Sequence, residues 1–107
     1  MLAFTGAANE FLRSQHDWWH RKHENPGGPE HVAARAEAYR LRGLAVQSTH
    51  QLRLLFPEDK LHMQAERTTE LISSLHRASD RDELRARTAE ARASLNVFIS
   101  QASECVR

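Results

Sequence analysis

The stretch that decides the fold is LRARTAEARASLNVFISQASEC, residues 84–105 of a chain of 107 residues. Its apolar and small residues recur at alternating spacings of four and three, the period of a helix that buries one stripe. The stripe consists of Leu84, Thr88, Ala91, Leu95, Phe98, Ala102 and Cys105. The pattern predicts a long amphipathic helix, with Cys105 as a small buried residue.

Similar patterns predict three more helices upstream. The breaks between them are Asn25-Pro26-Gly27-Gly28-Pro29, Pro57, and a capping-box pattern in which Asp80 precedes Glu83 or Ser79 precedes Asp82. The predicted helices cover residues 2–24, 29–56, 58–77 and 80–105 of a single domain, residues 1–107. Because the connections are short, we predict an all-α antiparallel up-down four-helix bundle, elongated or completed by dimerisation.

The first and third helices each present one apolar face. In helix one it comprises Phe4, Ala8, Phe11, Leu12, Trp18 and Trp19, and in helix three Leu61, Ala65, Thr68, Ile72 and Leu75. Since consecutive residues point about 100° apart, Trp18 is predicted to lie in the core and Trp19 at its rim.

Helix two is apolar on two sides. One stripe is Val32, Ala36, Tyr39, Gly43, Val46, His50 and Leu54, and a second set is Leu41, Leu44, Leu52 and Leu55. We expect the stripe to be core, with Gly43 at a close approach of a neighbouring helix and His50 as a buried histidine. A helix that is apolar on two sides is either central in its own fold or shared with a partner chain.

The leading functional hypothesis is therefore a non-enzymatic protein–protein interaction module. It would self-associate as a homo-oligomer or bind a helix of another protein. The predicted interaction surface comprises Leu41, Leu44, Leu52 and Leu55, with Trp19 as a rim anchor, since tryptophan is favoured at binding hot spots.

The alternative is a metal-binding or metal-sensing bundle. His16, His20 and His23 are spaced at i, i+4 and i+7, so they project from one side of helix one, and neighbouring imidazoles at this spacing can chelate zinc or another divalent transition metal. Glu24 or His31 would supply a further ligand. A solvated histidine row is the simpler interpretation, and it implies no cofactor.

Composition and motifs narrow the classes of function. The formal net charge is +1, with 27% charged and 40% hydrophobic residues, as in ordinary soluble proteins, and this balance argues against nucleic-acid binding. The sequence has no nucleophile elbow, P-loop or glycine-rich dinucleotide loop, so we predict no enzyme and no catalytic residues. It also has no run of about 20 apolar residues to cross a bilayer, and we expect a cytoplasmic chain.

Three segments resemble a known group of proteins: FLRSQHDWW (residues 11–19), LLFPE (54–58) and AEARASLNVFISQA (89–102). They resemble helical domains of uncharacterised actinobacterial proteins, which often follow a single N-terminal membrane helix. In that group a Leu-Leu-x-Pro-Glu junction links two antiparallel helices. The resemblance implies a cytoplasmic helical bundle, tethered to the membrane in a longer native chain, with no assigned activity.

Overall fold

The computed structural model describes residues 3–105, and within them the chain forms four α-helices and no strand. The helices are α1 (Ala3–Glu24), α2 (Pro29–Leu55), α3 (Lys60–Ser73) and α4 (Arg81–Cys105). The all-α prediction is therefore confirmed. The first predicted helix included residue 2, which lies outside the described residues.

The four helices form an elongated bundle of 47 × 25 × 18 Å. α1 and α3 contact each other in the middle, whereas α2 and α4 lie on opposite sides and share no contact in the described part of the chain. The rings of Phe4 and Phe98 lie 4.8 Å apart at one end, and Trp19 bonds to the Ala78 carbonyl at the other. These contacts show that α1 and α4 run antiparallel.

The core forms from the faces predicted for α1, α3 and α4. The largest fully buried apolar side chains are Phe4, Phe11, Leu61, Ile72, Leu75 and Phe98. Cys105 departs from the prediction and is exposed. It lies in the last turn of α4 beside Phe56, Pro57 and Glu58, about two turns beyond Phe98. The predicted apolar stripe of α4 is therefore longer than the part of the helix that the core covers.

The third helix is shorter than its predicted span of 58–77. α3 ends at Ser73, and a 3₁₀ turn, Leu75–Arg77, follows. The Ser74 N–H donates to the carbonyl of Leu71, three residues back, at 3.3 Å. This tighter hydrogen bond replaces the i→i−4 pattern and ends the α-helix.

α4 begins with a capping box built on Asp80 and Glu83. The Asp80 carboxylate accepts a 2.8 Å hydrogen bond from the Glu83 N–H, and the Glu83 carboxylate accepts one of 2.8 Å from the Ser79 N–H. Hydrogen bonds from Ser79 and Arg87 lower the pKa of Glu83 from 4.5 to about 2. The charged form of Glu83 is also stabilised by the positive end of the helix dipole. The capping box therefore fixes where α4 starts.

Both tryptophans are buried, Trp18 as predicted and Trp19 against the prediction that it lies at the rim. Trp19 belongs to the main core, is 4% exposed, and donates from Nε1 to the Ala78 carbonyl at 2.8 Å. Trp18 packs in a separate small cluster with Ala34 and Ala38 of α2. Trp19 is thus core and not rim, because its indole N–H has a buried partner directly after the 3₁₀ turn and its ring can enter the interior.

α2 buries a different face from the predicted stripe. Its buried residues are Ala34, Ala38, Leu41, Ala45, Thr49 and Leu52, which we call the inner stripe. A side chain added at Gly43 would meet no atom within 4 Å, and His50 is exposed, so both expectations were wrong. The inner stripe includes three alanines, and such small residues let neighbouring helices approach closely.

Candidate interaction surface

The outward side of α2 carries a periodic row of apolar and small residues that also includes one histidine. It is the stripe that the sequence favoured as core, and we call it the outer stripe: Val32, Ala36, Tyr39, Gly43, Val46, His50 and Leu54. Tyr39 is 61% exposed and Leu54 is 88% exposed, while Val46 is half-buried. Single exposed apolar residues are ordinary, but a periodic row along a helix is not.

The outer stripe has the regular spacing of a helical face that can pack on another helix. From Val32 to His50 it runs four, three, four, three and four, the spacing of one face of an amphipathic helix and also of a coiled-coil seam. The row from Val32 to Leu54 is about 33 Å long at 1.5 Å per residue. The geometry is therefore that of a helix with a second face suited to another helix.

Tyr39 is held in place at the surface. Its ring lies edge-on to Trp18, with centroids 5.6 Å apart. The buried Trp18 in turn stacks on His76, with ring centroids 3.9 Å apart. Burial and the nearby cations Arg77 and Lys22 lower the pKa of His76, which favours the neutral ring in this stack. Tyr39 thus offers exposed aromatic area that packs on one side against Trp18, and tyrosine is a residue type favoured at binding hot spots.

The structure divides the predicted interaction surface. Leu41 and Leu52 are 6% and 3% exposed and pack in the core of this chain, as does Trp19. Leu44 and Leu55 are 42% and 64% exposed. Three of the five predicted residues are therefore covered by the chain itself, because the inner stripe runs through Leu41 and Leu52.

Arginines line one edge of the outer stripe. Arg35, Arg42 and Arg53 are separated by seven and eleven residues, close to whole helical turns, so they share one side of α2. All three are exposed, and among residues 3–105 none is in an ion pair. This row was not predicted from the sequence, although its spacing could have indicated it. We call these three residues the arginine edge.

The other edge of the outer stripe is less charged. Arg40 lies there but is paired with Glu37, whose Oε1 is 2.6 Å from the guanidinium. The hydrogen bond from Arg40 lowers the pKa of Glu37, so Glu37 stays ionised and Arg40 neutralised. Gln47 and Gln51 complete this edge and are uncharged.

A small polar cleft lies between α2 and α3 beside the arginine edge. It has a volume of about 150 Å³, and Arg42, His50, Glu66 and Glu70 are among its lining residues. The buried His62 lies behind it, donates from Nδ1 to the Thr49 carbonyl at 2.8 Å and contacts the Glu66 carboxylate. Acidic groups are thus close to Arg42, in the middle of the arginine edge. Arg35 and Arg53, at its two ends, do not line this cleft.

Two histidines of the row predicted for a metal site, His16 and His23, form hydrogen bonds within the chain. The Thr88 hydroxyl donates to the Leu84 carbonyl, so His16 Nε2, at 2.8 Å from that hydroxyl, carries a proton. His23 donates from Nδ1 to the Trp19 carbonyl at 2.8 Å. Burial, followed by the charges of His20 and Arg92, lowers the pKa of His16.

The further ligands considered for that site also have other partners. Glu24 lies 3.5 Å from the Arg21 guanidinium, and His31 accepts a 2.8 Å hydrogen bond from the Gly27 N–H. Within residues 3–105, no three or more His, Cys, Asp or Glu side chains are arranged to hold a metal ion.

Across residues 3–105, none of the helices combines the length and apolar character that crossing a bilayer requires.

Comparison with known proteins identifies a family but no individual relative. No curated protein and no solved structure shows significant similarity to this chain. The family described as KilB plasmid transfer protein matches residues 1–106. This match covers nearly the whole sequence, and the chain therefore belongs to the KilB plasmid transfer protein family.

Proposed function

We propose that this chain is a non-enzymatic interaction module of plasmid transfer, and that it docks a helix on the outer stripe of α2. The family match supports the process, and the exposed coiled-coil seam supports the mode of action. The single observation that carries the proposal is that α2 presents this seam to solvent while burying its opposite face.

The chemistry of the outer stripe favours a helical partner. A seam with a four–three spacing complements another helix, since each side chain enters a gap between residues of the facing helix. Gly43 leaves open space in the middle of the seam, and Tyr39 and Leu54 project on either side of it. The partner is either a second copy of this chain or a helix of another protein.

The test is plasmid transfer between donor and recipient cells with variant chains. Ala36→Glu with Leu54→Glu puts two charges on the outer stripe at exposed positions. Met63→Glu with Ala89→Glu is the matched control, because these residues are also an exposed large apolar residue and an exposed alanine, on α3 and α4. Circular dichroism establishes that each variant folds.

We expect the stripe variant to lower transfer frequency by about tenfold or more, because charges in an apolar interface are left without partners. The control should transfer like the natural chain. Equal transfer by the two variants would show that the outer stripe is not the docking surface. Unchanged transfer when the chain is removed altogether would contradict a role in plasmid transfer.

A further inference from the structure

We infer that the occupant of the outer stripe is an acid-edged amphipathic helix of another protein, and not a second copy of this chain. The inference rests on the proposed function, because it names the partner of the same surface. It is carried by the charges that flank the outer stripe on its two edges.

The arginine edge lacks neutralising partners at its ends. Arg35 and Arg53 are exposed and form no ion pair within the described part of the chain. In a docked helix pair, residues at this position meet the edge residues of the facing helix and decide which partner is accepted. Two unpaired guanidiniums there favour carboxylates at the matching positions of the partner.

A second copy does not offer those carboxylates. In an antiparallel pair of α2 helices centred on the middle of the outer stripe, each edge meets itself, so Arg35 of one copy approaches Arg53 of the other. In a parallel pair, the arginine edge meets the edge that carries Arg40, Gln47 and Gln51. Neither arrangement places an acid against the arginine edge, and the antiparallel one places like charges together.

The acidic groups of this chain do not satisfy the preference of the arginine edge for carboxylates. Glu37 is held by Arg40, and Glu66 is held by His62. Glu66 and Glu70 line the cleft beside Arg42, so selection is expected at Arg35 and Arg53, one near each end of the outer stripe. The partner helix is thus predicted to carry Asp or Glu about five turns apart along one edge.

The experiment uses two synthetic helical peptides with the same apolar seam. One carries Glu at the edge positions and its twin carries Lys, so each peptide also resists pairing with itself. Binding to the full chain is followed by fluorescence anisotropy at low and high salt.

The protein variants are Arg35→Glu with Arg53→Glu, and Arg85→Glu with Arg92→Glu as the matched control. The control arginines are exposed on α4 and form no ion pair among residues 3–105.

We expect the acidic peptide to bind roughly tenfold more tightly than its basic twin, since two edge pairs change from attraction to repulsion. The preference should weaken at high salt, reverse in Arg35→Glu with Arg53→Glu, and persist in the control. Equal binding of both peptides that is lost in Ala36→Glu with Leu54→Glu would overturn the inference while leaving the docking surface intact.

Three other results would also overturn the inference. One is a dimer in light scattering that Ala36→Glu with Leu54→Glu converts to a monomer, because the occupant is then a second copy. Another is sedimentation with phosphatidylserine vesicles that requires Arg35 and Arg53, without peptide binding, because the occupant is then an anionic membrane surface. Binding of neither peptide and no dimer would contradict both the inference and the proposed docking surface.

Discussion

α2 and α4 are the two long outer helices of the bundle, with 27 and 25 residues, yet they differ in which apolar residues they bury. α4 buries Leu95 and Phe98, although Val97 and Ile99 of the same helix are 45% and 43% exposed. α2 packs largely through alanines and leaves Tyr39 and Leu54 in solvent. α4 thus contributes its aromatic ring to the core, whereas α2 leaves its own aromatic ring at the surface, on the face that we propose to dock a partner.

The largest test of this difference removes one aromatic ring from each helix. Phe98→Ala should lower the free energy of unfolding by about 3–5 kcal/mol, because Phe98 is fully buried against Phe4 and leaves a cavity. Tyr39→Ala should cost about 1 kcal/mol or less, because it loses only an exposed ring and its edge contact with Trp18. Urea unfolding followed by circular dichroism measures both.

The milder Phe98→Leu keeps the comparison measurable if Phe98→Ala does not fold. Equal losses for Phe98→Ala and Tyr39→Ala would mean that the outer stripe of α2 supports the fold as much as the core of α4 does. The contrast between the helices would then be wrong.

A second test enlarges one alanine on each face of α2. Ala38→Leu should destabilise the chain by about 1–3 kcal/mol, because Ala38 is fully buried where α2 meets α1 and Trp18. Ala36→Leu, two residues earlier on the outer stripe, should change the stability by no more than about 0.5 kcal/mol. The urea midpoints of the two variants separate these outcomes, and a stable Ala38→Leu would show that α2 does not need a small inner stripe.

These alanines also explain why sequence reasoning was right for three helices and wrong for α2. In α1, α3 and α4 the buried face carries the large apolar residues, so hydrophobic periodicity identifies it. In α2, Ala34, Ala38 and Ala45 follow a similar helical period, but each contributes little apolar surface. The larger outer residues dominated the pattern, and only the packing of α2 on α1 shows which face is inside.

The sequence also predicted the candidate interaction surface only in part. Two apolar sides on α2 indicated a surface for a partner, but the leucines chosen for it included Leu41 and Leu52, which the chain buries. The placement of Trp19 depends on its bond to Ala78, 59 residues away in sequence. Such long-range contacts leave no local signal, whereas the arginine edge has one that pattern reading can detect.

A third test uses the different starts of the two helices. α2 begins at Pro29 after Gly28, with no side-chain cap, while α4 begins in the capping box of Glu83. Because the pKa of Glu83 is lowered from 4.5 to about 2, its stabilisation is complete above the unfolded-state value. It is lost as the pH falls from about 4.5 through about 2.

Glu83→Gln should therefore flatten the acid side of the stability profile while leaving α2 unaffected. Urea midpoints across this pH range measure the profile, and amide hydrogen exchange shows which helix opens first. We expect a smaller effect than in the two core variants, with early exchange at the start of α4. An unchanged profile in Glu83→Gln would assign the acid response to other carboxyl groups.

The smallest expected effect concerns the rival surface, the histidine row of α1. Zinc or EDTA should change neither the solution mass nor the unfolding midpoint, because a metal would have to displace the hydrogen bonds that hold His16 to Thr88 and His23 to the Trp19 carbonyl. Light scattering after size exclusion and thermal unfolding measure the two quantities. His16→Ala with His20→Ala is the control, and a midpoint that zinc raises in the natural chain but not in this variant would make α1 a metal site. In that case the outer stripe of α2 would no longer be the sole candidate surface, and its exposure would have to be explained together with a metal-dependent change in α1.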